Sequence, residues 1–476
     1  MNEMNMNGKT AVGAEAPGAT AVLAAYAAGL RYEDIPPPVI DKIKACVLDT
    51  LGCMLFGATL PWTRIVADVV REEGGAPQAS LVGSRGRVTV SQAVFVNSTA
   101  GHAFELDDAH TRASMHAGSI AVATALAIAE WRAGVSGRDF VTAIVAGYET
   151  GLRIGMAGAG NIFKRGFHSS AVCGGFVAAA TAARLLGLDA ARTQHAFGIT
   201  GSMASGLMAA QEGAMVKRLH SGQAARNGVT AVLLAQRGFT GITNVLEAPF
   251  GGFFSAMTER HQADALVAGL GTQWETLALG FKPYATAGAI HPALALLDAI
   301  MTEHRLTADD IAQIHVECTT HCKNHVAWPY VPQGVASAQM NIFYALSVMA
   351  LDRAAMVGQF DESRLEDPAI IGFMRRITVT TDAAFDAMGN AFRYATRVIV
   401  STPRGDRHAQ ETLHRPGSPD SPLSGAQIAG KFEQLAARVL DADACRRIQA
   451  AVQRLDSLPG LEPLIAELRV RGAATV

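Results

Sequence analysis

The run from Gly101 to Ser119, GHAFELDDAHTRASMHAGS, gathers His102, Glu105, Asp107, Asp108, His110 and His116 in a chain with only 17% charged residues. Hydrophobic helical patterns flank it on both sides, so these groups are expected where helices meet. Carboxylates and imidazoles beside an apolar core acquire the shifted pKa values that acid–base chemistry needs. Asp107, Asp108, His110 and His116 could instead ligate a divalent metal, yet no His-x3-His pair or other metal signature accompanies them. Proton transfer and substrate binding fit the run better, and no metal is expected.

Two further clusters extend this chemistry. Phe167-His168-Ser169-Ser170 stands at a helix start, where Ser169 or Ser170 can cap and free N–H groups offer an anion site. His168 then sits where a carboxylate would dock. The run Lys217-Arg218-Leu219-His220-Ser221-Gly222-Gln223-Ala224-Ala225-Arg226 brings basic groups and a histidine to the start of an apolar helix. Such a patch suits polycarboxylate recognition, and a desolvated lysine is a plausible proton donor. A plain capped helix and a solvated charge run are the bland alternatives. Phe281-Lys282-Pro283-Tyr284 and His291-Pro292 fall at a domain junction, a favoured place for ligands. Tyr344 sits in a helix of the second domain. Taken alone, each of these is more often structural than catalytic.

Other patterns carry less. His315, Cys318, His321, Cys322 and His325 match no standard zinc spacing. The glycines from Gly155 to Gly160 lack the Lys-Ser/Thr of a phosphate loop, and no G-x-S-x-G elbow occurs.

The elements that must position these residues change character along the chain. From Ala21 to about Met257 the pattern is helical, with helices expected after Ile35-Pro36-Pro37-Pro38 to near Phe56, and over Val90–Glu105, Ser119–Ala133, Gly137–Gly155, Ser169–Leu186 and Gly222–Gln236. Their apolar faces are broad and rich in Ala and Gly, as mutually buried helices require. After Gly271 strands enter: a short one over Trp274–Phe281, then Ala312–Cys318, Arg376–Thr380 and Arg397–Ser401, with helices at Pro292–His304 and Ser337–Leu351. A polar stretch from Arg404 to Ser424 leads into C-terminal helices. The expected fold is mostly α, a large all-α helical domain plus a smaller inserted α+β lid. Residues 1–17 form a leader, 18–272 the helical domain, 273–410 the lid, and 411–476 helices returning to the first domain.

With 476 residues, 49% of them hydrophobic, the chain can fill two cores. A net charge of −2 supplies no basic field for nucleic acid or an anionic membrane. Six scattered cysteines read as reduced thiols, and no apolar run is long enough to span a bilayer, so a soluble cytoplasmic protein is expected.

In this order the pieces resemble the MmgE/PrpD family of 2-methylcitrate dehydratases and cis-aconitate decarboxylases. The resemblance rests on Asp107-Asp108 with His116-Ala117-Gly118-Ser119, Gly166-Phe167-His168-Ser169, the Lys217 to Ala225 run, Arg237-Gly238-Phe239-Thr240-Gly241, and Phe281-Lys282-Pro283-Tyr284 with His291-Pro292. It implies a helical domain with an α+β lid, a site between them, commonly a homodimer, and lyase chemistry on citrate-like acids with no metal or organic cofactor. Residue by residue it marks Asp107 or Asp108, His116, His168, Lys217, Lys282 and Tyr344. His220, Arg218, His102, Ser169 and His291 complete the expected binding set. Glu105 and Ala109 depart from the decarboxylase pattern, which has Asp and Thr there, and Ala287-Gly288-Ala289 replaces a segment that often carries Cys or Arg. The expectation is a cofactor-independent dehydratase or decarboxylase of a citrate-like di- or tricarboxylate. An epimerase of a related acid and a non-catalytic helical scaffold stand as alternatives.

Overall fold

Small residues let the central helices of the first core approach closely. The computed structural model describes residues 16–158 and 160–469; most of the expected leader lies outside them. Helix Ser169–Leu185 packs between Gly137–Gly158 and Val216–Gln236. At its crossing with the latter, a Cβ on Gly228 would come within 2.3 Å of the Gly175 carbonyl oxygen, so only glycine permits that contact. Helices Val90–Gly101 and Gly118–Arg132 join the same core, along with Pro37–Gly57, which starts on prolines where a helix tolerates them.

The second core belongs to the lid. Its sheet has four strands, β1 Gln313–Cys318, β2 Ile377–Thr381, β3 Thr396–Ser401 and β4 Arg407–Thr412, in the order β2-β1-β3-β4. β1 and β2 are parallel, and the other pairs are antiparallel. Helices His291–Glu303 and Ile342–Asp352 pack together in this core. The C-terminal helices Gly425–Ala436 and Ala442–Gln453 return to the first core, where Phe432 and Ile448 are buried. Among the described residues no single helix is long and apolar enough to cross a membrane.

The expected helix Val90–Glu105 ends at Gly101, and four further details differ from the sequence reading. Strand β4 runs past the expected lid boundary at 410, inside the stretch read as a polar linker. Only Leu279–Gly280 of the expected strand at Trp274–Phe281 is extended, and it pairs antiparallel with Ala109–His110. The expected helix Ser337–Leu351 is broken at Asn341, whose side chain accepts from the amides of Phe343 and Tyr344 to start Ile342–Asp352. Helix Val216–Gln236 begins six residues before the expected Gly222, so Lys217, Arg218 and His220 lie within its first turns.

Candidate active site

The acidic run is an irregular loop between two helices. Val90–Gly101 stops at Gly101, and Gly118–Arg132 starts after His116. Glu105 adopts φ of 56°, a left-handed conformation that costs a non-glycine residue on the order of 1–2 kcal/mol. Its surroundings account for that conformation. Glu105 Oε1 accepts from Lys217 Nζ and from Arg218 Nη1 at 2.8 Å, while Oε2 accepts from Lys282 Nζ at 2.9 Å. Arg218 also donates to Gln339 Oε1 at 2.9 Å, and Gln339 donates onward to the carbonyls of Phe104 and Ala285. Thus one buried carboxylate joins the helical domain to the lid. Burial works to raise the Glu105 pKa, but Lys217, Lys282 and Arg218 outweigh it and hold the group well below the usual range. Lys217 is itself lowered by burial, with Glu105 opposing.

The acidic pair divides its work. Asp107 Oδ2 is 2.8 Å from His102 Nδ1, and both residues are fully buried. Burial lowers the His102 pKa despite the Asp107 charge, so a neutral His102 donates Nδ1–H to Asp107. His116 Nδ1 donates to the Asp108 carbonyl at 2.8 Å and is 3.3 Å from Asp107 Oδ1, which leaves Nε2 as its second functional nitrogen. The side chain of Asp108 turns the other way. Its carboxylate accepts from the Gly118 amide at 3.0 Å and the Tyr148 hydroxyl at 2.7 Å, and burial pushes its pKa up to about 6.

His168 is the residue that caps helix Ser169–Leu185, but its ring makes no cap bond. Neither neighbouring serine caps; Ser170 Oγ accepts from the His116 amide at 3.0 Å, which ties the two motifs together. The Nδ1 atoms of His168 and His220 are 3.0 Å apart, so one donates and the other accepts. Burial holds His168 well below the imidazole range, with the Lys217 charge adding to the effect, and burial lowers His220 to about 4. These are neutral imidazoles at pH 7.

A cavity of about 740 Å³ opens beside this array. His116, His168, Ser169, Lys217 and Lys282 line it, as does Glu105. His102, Asp107, Asp108, Arg218 and His220 stand behind those residues and hold them. The one described grouping of His and carboxylate atoms with metal-ligand spacing is His102, Asp107 and His116, within 4.8 Å of one another. There His102 Nδ1 faces Asp107 and His116 Nδ1 faces the Asp108 carbonyl, so the nitrogens nearest the carboxylate are already engaged in hydrogen bonds.

The family model for the MmgE/PrpD N-terminal domain matches residues 21–266, and that for the C-terminal domain matches residues 284–457. The chain belongs to the MmgE/PrpD family. It is 32% identical over 470 residues to a cis-aconitate decarboxylase of Aspergillus terreus, covering 94% of this chain and 95% of the relative. A cis-aconitate decarboxylase-like protein of Aspergillus oryzae is 30% identical, covering 94% and 96%. The human cis-aconitate decarboxylase is 25% identical, covering 93% and 92%. This MmgE/PrpD member is an enzyme, a carbon–oxygen or carbon–carbon lyase.

Two expected site residues stand apart from the cavity. Tyr344 is buried in the lid core, where its hydroxyl donates to the Gln359 carbonyl at 2.8 Å and its ring packs near Tyr330 and Phe360. His291 starts helix His291–Glu303, fully buried, with Nε2 3.2 Å from the Thr286 carbonyl. Both side chains meet the lid's own backbone.

The structure also adds residues. His321 and His325, on the lid helix Thr320–Val326, line the cavity, and so do Arg393 and Arg415. The supposed zinc set is dispersed: His315 Nδ1 is 2.8 Å from Thr378 Oγ1, while Cys318 and Cys322 donate to the carbonyls of Thr380 and Arg393. A readable signal for the histidines was their i, i+4 spacing, which puts both on one helix face. Neither arginine had any local signal.

Proposed function

We propose that this protein decarboxylates an unsaturated, aconitate-type tricarboxylate without a metal or organic cofactor. The observation that carries the reading is the charge of the cavity. Among its described lining residues Glu105 is the only carboxylate, set against Lys217, Lys282, Arg393 and Arg415. Three of these cations, Lys217, Lys282 and Arg415, are buried and Arg393 is half-buried, and such a surplus suits a small polyanion. The decarboxylases among the relatives support the reaction class.

In this reading one substrate carboxylate leaves as carbon dioxide. The electron pair of the broken C–C bond moves through the adjacent double bond towards a remaining carboxylate, where Lys217 and Lys282 stabilise the charge that develops. A proton then joins carbon. In this reading His116 delivers it through Nε2, with Asp107 3.3 Å from Nδ1 as the counter-charge. Decarboxylation of the ionised acid removes no proton, so His168, held neutral, serves here as a hydrogen-bond partner of a substrate carboxylate and would act as a base only in loss of water. Loss of water from a hydroxylated tricarboxylate would use the same pair, and the products distinguish the two reactions.

The test is to incubate EDTA-treated protein in D2O with cis-aconitate, citrate and 2-methylcitrate, following carbon dioxide and proton NMR. Carbon dioxide with deuterium placed on product carbon is expected from the unsaturated acid. Water loss without carbon dioxide would replace decarboxylation by dehydration. Activity that returns only with a divalent ion would overturn the metal-free mechanism. His116→Ala and His168→Ala are each expected to lower kcat by about 100-fold or more, and wild-type rates in both would remove the site assignment.

A cytoplasmic homodimer belongs to the same proposal. All six cysteines are unpaired and buried, and Leu207, Met215, Phe239 and Phe250 expose apolar surface. A monomer by light scattering would count against the dimer.

A further inference from the structure

Arg415 belongs to no helix or strand, yet only 3% of it is exposed. Its position is fixed by a crossing of two backbone segments. The Phe281 amide donates to the Gly417 carbonyl at 2.8 Å, and Arg415 Nη1 donates back to the Phe281 carbonyl at 3.2 Å. The next residue along is Lys282, which binds Glu105. One crossing therefore sets both cations relative to the acidic loop.

Glycine makes room for the guanidinium. A Cβ at Gly280 would come within 2.5 Å of Arg415 Nη2, and one at Gly288 within 3.2 Å of Arg415 Cδ. Nη2 itself is buried and has no hydrogen-bond partner in the protein. A buried charged donor without an acceptor is costly unless a ligand supplies one, and this residue lines the cavity. Arg393 lines it too. Its Nη2 donates to the Thr111 carbonyl at 2.8 Å across the domain boundary, while its Nε is buried and unpartnered. Burial lowers the Arg415 pKa, with Tyr394 opposing and the Arg393 charge adding to the shift, as two neighbouring guanidiniums require.

We propose that Arg415, with Arg393 beside it, forms a carboxylate subsite in the lid wall that reads a third carboxylate of the substrate. The subsite rests on the tricarboxylate reading above and deepens it: Lys217 and Lys282 hold the reacting end, and the arginines select acids that carry a further carboxylate. Arg415 is then a specificity-determining residue and not a proton carrier.

Calorimetric binding of unreactive acids tests this without turnover. Tricarballylate carries three carboxylates; glutarate and 2-methylsuccinate each lack a different one. The wild type is expected to bind tricarballylate at least about tenfold more tightly than either dicarboxylate. In Arg415→Gln that affinity falls about tenfold or more, while at least one dicarboxylate changes by less than about threefold, so the preference collapses. Equal losses on all three acids, or no loss on tricarballylate, overturn the subsite. Arg393→Gln is expected to show the same pattern more weakly, and it decides the matter alone if Arg415→Gln fails to fold. A wild type that fails to decarboxylate but shows the arginine-dependent preference loses the proposed reaction and keeps the subsite. A wild type that decarboxylates with no such preference does the reverse.

Discussion

On the helical side of the cavity, Glu105 engages Lys217, Arg218 and Lys282, and Asp107 engages His102. On the lid side, the cations Arg415 and Arg393 keep Nη2 and Nε buried with no protein partner. The buried unpartnered atoms of these helical-side groups, His102 Nε2 and Asp107 Oδ1, belong instead to a neutral ring and to a carboxylate already hydrogen-bonded through Oδ2. The contrast separates two jobs. Charges on the helical wall are fixed before any ligand arrives, which is what preorganised stabilisation of a transition state requires. Those on the lid wall are completed by the ligand. Breaking the Glu105 cluster of the first wall should therefore cost folding, whereas removing a guanidinium from the second should cost recognition.

The largest expected effect comes from Glu105→Ala, which strands three buried cations. It should cost about 3–5 kcal/mol in denaturant unfolding. A loss below about 1 kcal/mol would mean that the helical wall is no more self-sufficient than the lid wall.

Asp108→Asn should move stability the other way. Asp108 has its pKa raised by burial from 3.8 to about 6, with the Tyr148 hydrogen bond opposing. A carboxyl raised in the fold favours the native state fully below its unfolded pKa, and that contribution is lost as pH rises through 6. At pH 8 the ionised group therefore weighs against folding by about 2–3 kcal/mol. Asparagine can keep the partners at Gly118 and Tyr148 without the charge, so the variant should gain most of that at pH 8 and nothing near pH 4. Unfolding curves at both pH values check the sign, and an equal effect at both would show that ionisation is not the cause.

The smallest effect belongs to Tyr344→Phe. Losing the bond to the Gln359 carbonyl should cost about 1 kcal/mol, with turnover unchanged. A large loss of kcat at unchanged stability would return Tyr344 to the site.

These contrasts also explain what the sequence revealed. The acidic run, the histidine at a helix start and the Lys217 run are local patterns on or beside helices, and they converge as expected. Glu105 was visible as a member of the acidic run and as a departure from the decarboxylase pattern, but its role as an anchor was not, because its three partners come from two distant segments. Tyr344 misleads because an aromatic residue in an apolar helix looks the same whether it faces a core or a cavity. Strand β4 escaped notice because Arg407–Thr412, at the sheet edge, is polar throughout except Ala409 and leaves alternate residues exposed. Arg415 escaped because its role depends on Phe281, 134 residues earlier.

Lys431, in helix Gly425–Ala436, donates to Asp49 Oδ1 at 2.6 Å and to the Leu106 carbonyl, between Glu105 and Asp107. The strut beneath the acidic loop is thus synthesised 325 residues after the loop itself. At about 5–20 residues per second, the loop leaves the ribosome roughly 15–65 s before its support exists. The helical domain can condense in that interval, but Asp49 then waits without its counter-ion. Catalytic competence is in this sense a property of the finished chain, timed by its last helices.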